Sequence, residues 1–260
     1  MKLFILICAF GISAFAEDWQ KTLTPEPGKF PALRPLAVHY QFGWSGVKAA
    51  EAEAKFSSGK GRNQLDLTAS TKGLARTLWR MDSAAVSTCD SATLRPIALK
   101  QVEVYSKKTM TTTVVFKPEG PERMRVPNPP DKTLPKPKRF KLLNVYDQQG
   151  ALLFLRSQPL KNGDVVRMCV FPGNTPYFAE IGVEGREKLK AGGKEWDAIR
   201  CSLKLREVKK DFSLGAHKKF KKATAWLSDD RDRLLLKIEA EVFIGSVWVE
   251  LDRVDFPPGK

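Results

Sequence analysis

Two adjacent carboxylates near the C-terminal end, Asp229 and Asp230, are the residues whose type and spacing best suit catalysis. They lie between two apolar runs, each with a tryptophan, in KKATAWLSDDRDRLLLKIEAEVFIGSVWVEL. A general acid–base pair needs carboxylates that converge on a substrate in a partly desolvated pocket. Ser228, Asp229 and Asp230 are instead typical of a turn, because short polar side chains hydrogen-bond to nearby backbone. We therefore expect a hairpin corner with diverging acids, and a hydrolase that uses Asp229 or Asp230 is the less favoured alternative.

Other catalytic and metal-binding patterns are weak in this sequence. The two histidines, His39 and His217, are far apart, and neither HExxH nor paired Cys/His spacing occurs. Residues 43–46 (GWSG) have the spacing G-x-S-G, which favours a tight turn over the G-x-S-x-G nucleophile elbow. Residues 191–194 (AGGK) lack the first glycine and the Ser/Thr of a phosphate loop. We expect no catalytic residues, no metal site and no cofactor, and therefore a protein that is not an enzyme.

Residues 1–16, MKLFILICAFGISAFA, have the organisation of a signal peptide. Lys2 is the basic region, Leu3 to Phe10 the apolar core, and Ala14-Phe15-Ala16 an A-x-A cleavage site before Glu17. No later run reaches the roughly 18 apolar residues of a membrane helix. The sequence therefore predicts an exported, periplasmic protein without a transmembrane segment, either soluble or peripheral to a membrane.

Cleavage would leave three cysteines, Cys89, Cys169 and Cys201. An exported compartment permits disulfides, but an odd count leaves at least one thiol outside an intramolecular bridge. A bridge between Cys169 and Cys201, both in predicted strands, is one alternative that the sequence leaves open.

The chain is strongly basic, with a formal net charge of +15, which becomes +14 when Lys2 is removed with the leader. In an exported protein, this charge favours anionic envelope components, such as lipid headgroups or acidic polymers, over nucleic acid. The densest basic run, residues 217–222 (HKKFKK), supplies the candidate anion-binding residues Lys218, Lys219, Lys221 and Lys222. The alternative for these lysines is a solvated strand edge whose charge discourages aggregation.

Strand patterns dominate the chain after residue 38. Gln64 to Ala69 alternates apolar and polar residues, and Ile199, Cys201, Leu203 and Leu205 alternate with Arg200, Ser202, Lys204 and Arg206. Asp147 to Leu155 (DQQGALLFL) is the best helix candidate, since Asp147 can cap a nearly all-apolar segment.

These patterns predict a mainly β fold: a single, strongly curved, antiparallel sheet, a half-barrel or open barrel, with about one packed helix. The predicted organisation is a signal peptide over 1–16, an extended lead-in over 17–37 and one β domain over 38–256. Within that domain, residues 117–139 hold seven of the seventeen prolines and predict a long Pro/Lys-rich loop.

Four segments in order resemble the DUF3108 family of exported bacterial proteins of unknown function. They are YQFGWSGVKAAEAEA (40–54), LWRMDSAAVSTCDSATLRP (78–96), residues 147–164, which carry FLRSQPLKNGD, and, most similar of all, WLSDDRDRLLLKIEAEVFIGSVWVEL (226–251). The chain departs from the family pattern in its Pro/Lys-rich loop and in Leu235-Leu236, where Pro-Val is commoner. The resemblance implies a curved sheet similar in outline to the half-barrel of periplasmic lipoprotein carriers, and it brings no catalytic residues.

Two hypotheses for function follow. The first is non-enzymatic binding of a hydrophobic or amphipathic, lipid-like ligand in the concavity of the sheet, with aromatic wall candidates Trp44, Trp79, Trp226, Phe243 and Trp248. The second is a structural or assembly factor that binds an anionic envelope polymer or a protein through its basic loops.

Overall fold

The computed structural model describes residues 18–106, 108–129, 135–217 and 222–257, and strands dominate this part of the chain. The predicted signal peptide therefore lies outside the described residues. The strands are β1 (Leu36–Trp44), β2 (Val47–Gly59), β3 (Arg62–Thr71), β4 (Met81–Asp90), β5 (Pro96–Tyr105), β6 (Lys108–Lys117), β7 (Gly120–Asn128), β8 (Lys138–Arg139), β9 (Val145–Tyr146), β10 (Val165–Val170), β11 (Tyr177–Ala191), β12 (Lys194–Val208), β13 (Leu214–Ala216), β14 (Lys222–Ser228), β15 (Leu235–Glu241) and β16 (Ser246–Asp255).

All the described strands belong to one open sheet. Its order is β8-β7-β6-β5-β4-β3-β2-β1-β16-β15-β14-β12-β11-β10-β9, and β13 pairs with β12 outside this path. The strands are antiparallel except β9 and β10, which run parallel, and β1 pairs with β16, so the two ends of the domain meet in mid-sheet. The prediction of a mainly β, antiparallel half-barrel is confirmed.

Two α-helices interrupt the strands within the described residues. Helix α1 (Gly73–Leu78) is 6 residues long and contains no buried residue. Helix α2 (Gln148–Ser157) begins at the predicted cap, Asp147, and buries Ala151, Phe154 and Leu155. Helix α2 is therefore the packed helix that the sequence predicts.

The core lies on both sides of α2. One cluster joins Phe154 and Leu155 to alternate residues of β10, β11 and β12, among them Met168, Ile181 and Ile199. Another cluster joins β1, β2 and β16, and Leu153 of α2 packs against it. Because α2 contacts both clusters, the sheet curves around the helix.

The prediction of a continuous loop over 117–139 is wrong. Gly120–Asn128 forms β7, paired along its length with β6, and Lys138–Arg139 forms β8. Among the described residues, the outer partner of β7 is the two-residue strand β8, so the N–H groups that Pro121 and Pro127 lack cost the sheet few hydrogen bonds. The proline count indicated a loop because proline is rare in central strands. The prediction failed because β7 lies near the edge of the sheet, where proline is accepted.

The three described cysteines are free and buried. Cys201 lies in the cluster around α2, whereas Cys169 lies in a different cluster with Phe171 and Phe178. Burial raises the pKa of Cys89 and Cys201 to about 11 and that of Cys169 to about 12. A bridge between Cys169 and Cys201 is therefore not part of this fold.

We expect these thiols to be unreactive in the native protein, because the thiolate is the reacting form and each side chain is shielded. The measurement is labelling with Ellman's reagent of protein that begins at Glu17, before and after denaturation in guanidinium chloride. Denaturation should release three thiols that native protein hides. Rapid labelling of native protein, or fewer than three thiols after denaturation without reductant, would contradict this expectation.

Candidate ligand-binding cavity

An apolar cavity of about 840 Å3 lies between α2 and the face of the sheet that curves around it. Helix α2 forms one wall, and β10, β11, β12 and β15 form the other. The apolar lining is Ala151, Leu152, Leu155, Met168, Val170, Pro172, Ala179, Ile181, Leu203, Leu205 and Ile238.

Strand register explains why these residues face one space. Leu203 and Leu205 alternate with exposed Lys204 and Arg206 along β12, so one face of the strand is apolar. Across the ladder, Cys201 pairs with Ala225 and Ala225 with Ile238, which places Ile238 on that same face. The alternation seen in the sequence therefore produces the sheet wall of the cavity.

Polar side chains gather at one end of the cavity. Tyr177, the first residue of β11, pairs with Glu207 near the end of β12, and the Tyr177 and His217 rings lie 5.3 Å apart. Gln148, Asn174 and Thr175 complete this polar end. The cavity thus combines apolar walls with polar groups at one mouth.

The buried carboxylate Asp147 fixes the amino end of α2. Asp147 is inaccessible to solvent; its carboxylate accepts hydrogen bonds from the Gly150 amide at 2.7 Å and from the Ser87 hydroxyl on β4. Burial raises the pKa of Asp147, and these hydrogen bonds oppose part of that rise. Asp147 does not line the cavity, so its role is to cap the helix and join it to β4.

Arg233 fixes the carboxyl end of α2. Its Nη1 donates to the carbonyls of Arg156 (2.8 Å) and Gln158, and its Nη2 donates to that of Pro159 (3.0 Å). The guanidinium carbon lies 3.3 Å from the centroid of the Phe30 ring, and burial lowers the pKa of Arg233. A helix leaves its last carbonyls without intrahelical partners, and Arg233 satisfies one such group together with carbonyls just beyond the helix.

Asp229 and Asp230 lie in the corner between β14 and β15 and have different partners. Asp229 Oδ2 accepts a hydrogen bond from Arg186 Nε at 3.1 Å. Asp230 Oδ1 accepts from Ser228 Oγ (2.7 Å) and from the amides of Asp232 and Arg233 (both 3.0 Å). The predicted turn chemistry is therefore observed at Asp230, and the corner it stabilises presents Arg233 to α2.

The five aromatic residues proposed from the sequence do not line the cavity. Ala225 and Val249 both pair with Ile238 and therefore lie on its face of the sheet. Trp226 and Trp248 are next to them along the strands, so both tryptophans point to the opposite face. On that face, the Trp226 indole N–H donates to Glu187 Oε1 at 2.6 Å. The Trp248 ring lies over Gly43, because a Cβ atom on Gly43 would be only 2.2 Å from that ring.

The remaining three aromatic residues are exposed. Trp44 and Phe243 lie on neighbouring turns, and the Trp44 indole donates to the Ile244 carbonyl at 2.9 Å. Trp79 follows α1 and stacks on Tyr105, with ring centroids 6.4 Å apart. The five residues thus occupy several places, and their participation in ligand binding stays a prediction.

Of the four candidate lysines, Lys222 is described, as the exposed first residue of β14 opposite Glu241. Lys218, Lys219 and Lys221 lie outside the described residues. Their role in binding an anionic surface stays a prediction.

A second, polar depression of about 470 Å3 lies beside His39 on β1. His39 Nε2 is 3.0 Å from Asp255 Oδ2 and 3.7 Å from Glu53 Oε1, and Arg253 pairs with the same Asp255. These polar side chains already contact one another, so the apolar cavity is the better ligand site. Within the described ranges, no three His, Cys, Asp or Glu side chains are grouped to hold a metal ion.

Sequence reasoning missed half of the cavity wall. Met168 and Val170 alternate with Arg167 and Cys169, a pattern too short to assign a face before the partner strand is known. Helix α2 is apolar on nearly all sides, so its sequence does not show which residues face the cavity and which face the core.

The open sheet curved around one buried helix defines a β-barrel-like class of fold. A β-barrel-like DUF1849 protein from Brucella abortus has this architecture, with a TM-score of 0.56 at 8% identity over 86% of this chain and 98% of that one. A protein described as exported with a YmcC-like fold, from Bacteroides fragilis, matches at a TM-score of 0.33 and 8% identity, covering 88% of this chain and 100% of its own. A protein described as a lipoprotein, from Parabacteroides distasonis, matches at 0.34 and 8% identity, covering 89% and 100%.

The chain belongs to the DUF3108 family, a family of proteins of unknown function, whose pattern matches residues 37–252. No curated protein sequence matches the chain. Across the described ranges, no helix is long and apolar enough to cross a bilayer. The fold and the family are therefore established, and neither one supplies an activity.

Proposed function

We propose that this protein is a non-enzymatic, periplasmic carrier or sensor that binds a lipid-like amphiphile in the cavity beside α2. One observation carries the proposal: an apolar cavity of about 840 Å3 with its polar side chains gathered at one end. Small-molecule sites typically have volumes of about 300–1,000 Å3, apolar walls and a few orienting polar groups.

The chemistry of the lining indicates the class of ligand. Leucine, isoleucine, methionine and alanine side chains cover the walls and gain free energy when an acyl chain or other apolar tail displaces water. Tyr177, Glu207 and His217 lie where a polar headgroup would meet solvent. A ligand with one apolar and one polar end fits this arrangement better than a uniformly polar substrate.

The periplasmic location rests on the leader-like residues 1–16 and is part of the proposal. The absence of enzymatic activity is also proposed, and it is supported by the structural engagement of Asp147, Asp229 and Asp230. Asp147 caps α2, Asp229 pairs with Arg186 and Asp230 stabilises a turn, and none of the three lines the cavity.

Filling the cavity tests the proposal. We expect Leu203→Trp with Leu205→Trp to weaken binding of a fluorescent fatty acid or lysophospholipid at least about tenfold, because the indoles occupy the tail's space. The measurements are fluorescence titration and native mass spectrometry of protein purified from a periplasmic extract, followed by lipid extraction.

Lys204→Trp is the matched control, because it adds the same ring to the exposed face of the same strand. This control should bind as the unaltered protein does. The proposal fails if the unaltered protein carries no amphiphile and takes up neither probe, or if the control and the double variant bind equally well.

A further inference from the structure

The most exposed apolar side chains gather at one end of the sheet. The five most exposed large apolar residues range from Val47 at 61% to Phe243 at 87%. Val47 begins β2, Leu74 and Leu78 lie in α1, and Phe243 and Ile244 lie between β15 and β16. Trp44, the last residue of β1, and Trp79, just after α1, are each at least half exposed. We name this set the tip surface: Trp44, Val47, Leu74, Leu78, Trp79, Phe243 and Ile244.

Three neighbouring connections form the tip surface. The β1–β2 turn carries Trp44 and Val47, and the β15–β16 turn carries Phe243 and Ile244. The amide of Ser45 donates to the Ser246 carbonyl at 2.8 Å, which holds these two turns together. Helix α1 follows β3 on the other side of β2, and the Lys72 amide donates to the Ala49 carbonyl at 2.8 Å. The tip surface is therefore continuous along the edge formed by the ends of β15, β16, β1, β2 and β3.

Basic side chains lie just behind the tip surface. Glu51 pairs with both Lys48 (2.6 Å) and Lys72 (3.4 Å), so this group retains one positive charge. Asp82 pairs with both Arg76 (2.7 Å) and Arg80 (3.7 Å), which leaves a second positive charge. Exposed Lys108 begins β6 at the same end of the sheet.

We propose that the tip surface docks on an anionic lipid bilayer, with its apolar side chains entering the headgroup region and the basic groups contacting lipid phosphates. Separate protruding turns fit the disordered interface of a bilayer better than they fit one rigid pocket. Tryptophan is suited to the interface because its indole is apolar with one polar N–H, and long basic side chains reach phosphates while their stems stay in apolar surroundings. The net charge, +14 once Lys2 is removed with the leader, adds attraction to an anionic membrane.

Vesicle binding tests this proposal independently of ligand binding in the cavity. We expect the purified protein to sediment with vesicles of phosphatidylcholine and phosphatidylglycerol in equal parts, and much less with phosphatidylcholine alone. Brominated acyl chains should quench tryptophan fluorescence in the bound state. Phe243→Ser with Ile244→Ser should lower the partition coefficient about tenfold or more, because both side chains would lose their burial in lipid.

Val115→Ser with Met124→Ser is the control, since it removes two exposed apolar side chains of β6 and β7 that lie away from the tip surface. This control should bind vesicles as the unaltered protein does. Leu74→Ser with Leu78→Ser provides a second test should the turn variant lose its thermal unfolding transition, because α1 has no buried residue. Circular dichroism melting checks the fold of each variant.

Three outcomes would overturn the proposal. They are equal vesicle binding by the tip and control variants, vesicle binding that depends on charge without quenching by brominated lipid, and a dimer in light scattering that the tip variants dissociate. The second result would indicate electrostatic adsorption to the headgroups without insertion of the apolar side chains, and the third would indicate that the tip surface binds a second copy of this chain.

Discussion

Replacing Arg233 with methionine should lower the free energy of unfolding by about 3–5 kcal/mol. Methionine keeps much of the length and apolar bulk of the side chain, and it removes the three hydrogen bonds to the carbonyls of Arg156, Gln158 and Pro159. The carbonyls of Arg156 and Gln158 would remain buried, so their desolvation would no longer be compensated, whereas that of Pro159 is partly open to solvent. The stacking of the guanidinium on Phe30 would also be lost.

The surroundings of Arg233 explain why the expected effect is large. Arg233 adopts a φ of 44°, a left-handed conformation that a large side chain rarely adopts, and the Asp230 carboxylate stabilises the turn by accepting from the Arg233 amide. A second buried arginine, Arg156, donates to the carbonyls of Asp232 (3.2 Å) and Pro31 (3.0 Å). The corner and the end of α2 therefore depend on one shared set of hydrogen bonds.

Arg206→Met is the matched control for Arg233→Met. Arg206 also lies over a phenylalanine ring, 4.9 Å from the centroid of Phe178, but it is exposed to solvent. Urea denaturation followed by tryptophan fluorescence should show a small change for Arg206→Met and a large one for Arg233→Met. Equal, small losses would contradict the proposed anchoring of α2.

Local signals in the sequence were sufficient for some of these features. Asp147 was predicted as a helix cap because capping depends on residues three positions apart, and the apolar face of β12 followed from strict alternation. Ser228 and Asp230 were assigned to a turn for the same local reason. Each prediction needed only a short segment and a known backbone geometry.

The role of Arg233 could not be predicted because it depends on contacts across more than seventy residues of sequence. In the sequence, Arg233 resembles a solvated charge beside two acids. Gly43 likewise gave no signal that it accommodates the ring of Trp248, which lies in a strand at the other end of the chain. Tertiary pairing decides that Trp226 and Trp248 point away from the cavity, and a one-residue change of register would have reversed that assignment.

The mouth of the cavity and the tip surface lie at the same end of the sheet. At the polar end of the cavity, Tyr177 at the start of β11 pairs with Glu207 near the end of β12. Strand β14 begins at this same end, and its first residue, Lys222, pairs with Glu241, two residues before Phe243 of the tip surface. A bilayer at the tip surface would therefore be close to the polar end of the cavity. The two proposals are tested separately, but together they would allow an amphiphile to pass between membrane and protein over a short distance.

Replacing Asp147 with alanine should lower the free energy of unfolding by about 2–4 kcal/mol at neutral pH, and asparagine should not. Alanine removes the cap on the Gly150 amide and leaves the Ser87 hydroxyl without its buried acceptor. Asparagine retains an oxygen for the Gly150 amide and offers an amide N–H to Ser87. The comparison separates the loss of hydrogen bonds from the loss of charge.

The pH dependence of Asp147→Asn gives a second measurement. Because the folded pKa of Asp147 is raised above the unfolded value of about 3.9, the native state binds the proton more tightly than the unfolded state does. The stabilisation from the protonated carboxyl is present at low pH and is lost as the pH rises through the folded pKa. The stability of Asp147→Asn relative to the unaltered protein, measured by urea denaturation, should therefore increase as the pH rises from about 4 towards the folded pKa of Asp147. A difference in unfolding free energy between Asp147→Asn and the unaltered protein that does not change with pH would show that burial does not favour the neutral acid. Equal stability of Asp147→Ala and Asp147→Asn would show that α2 needs no cap from this residue.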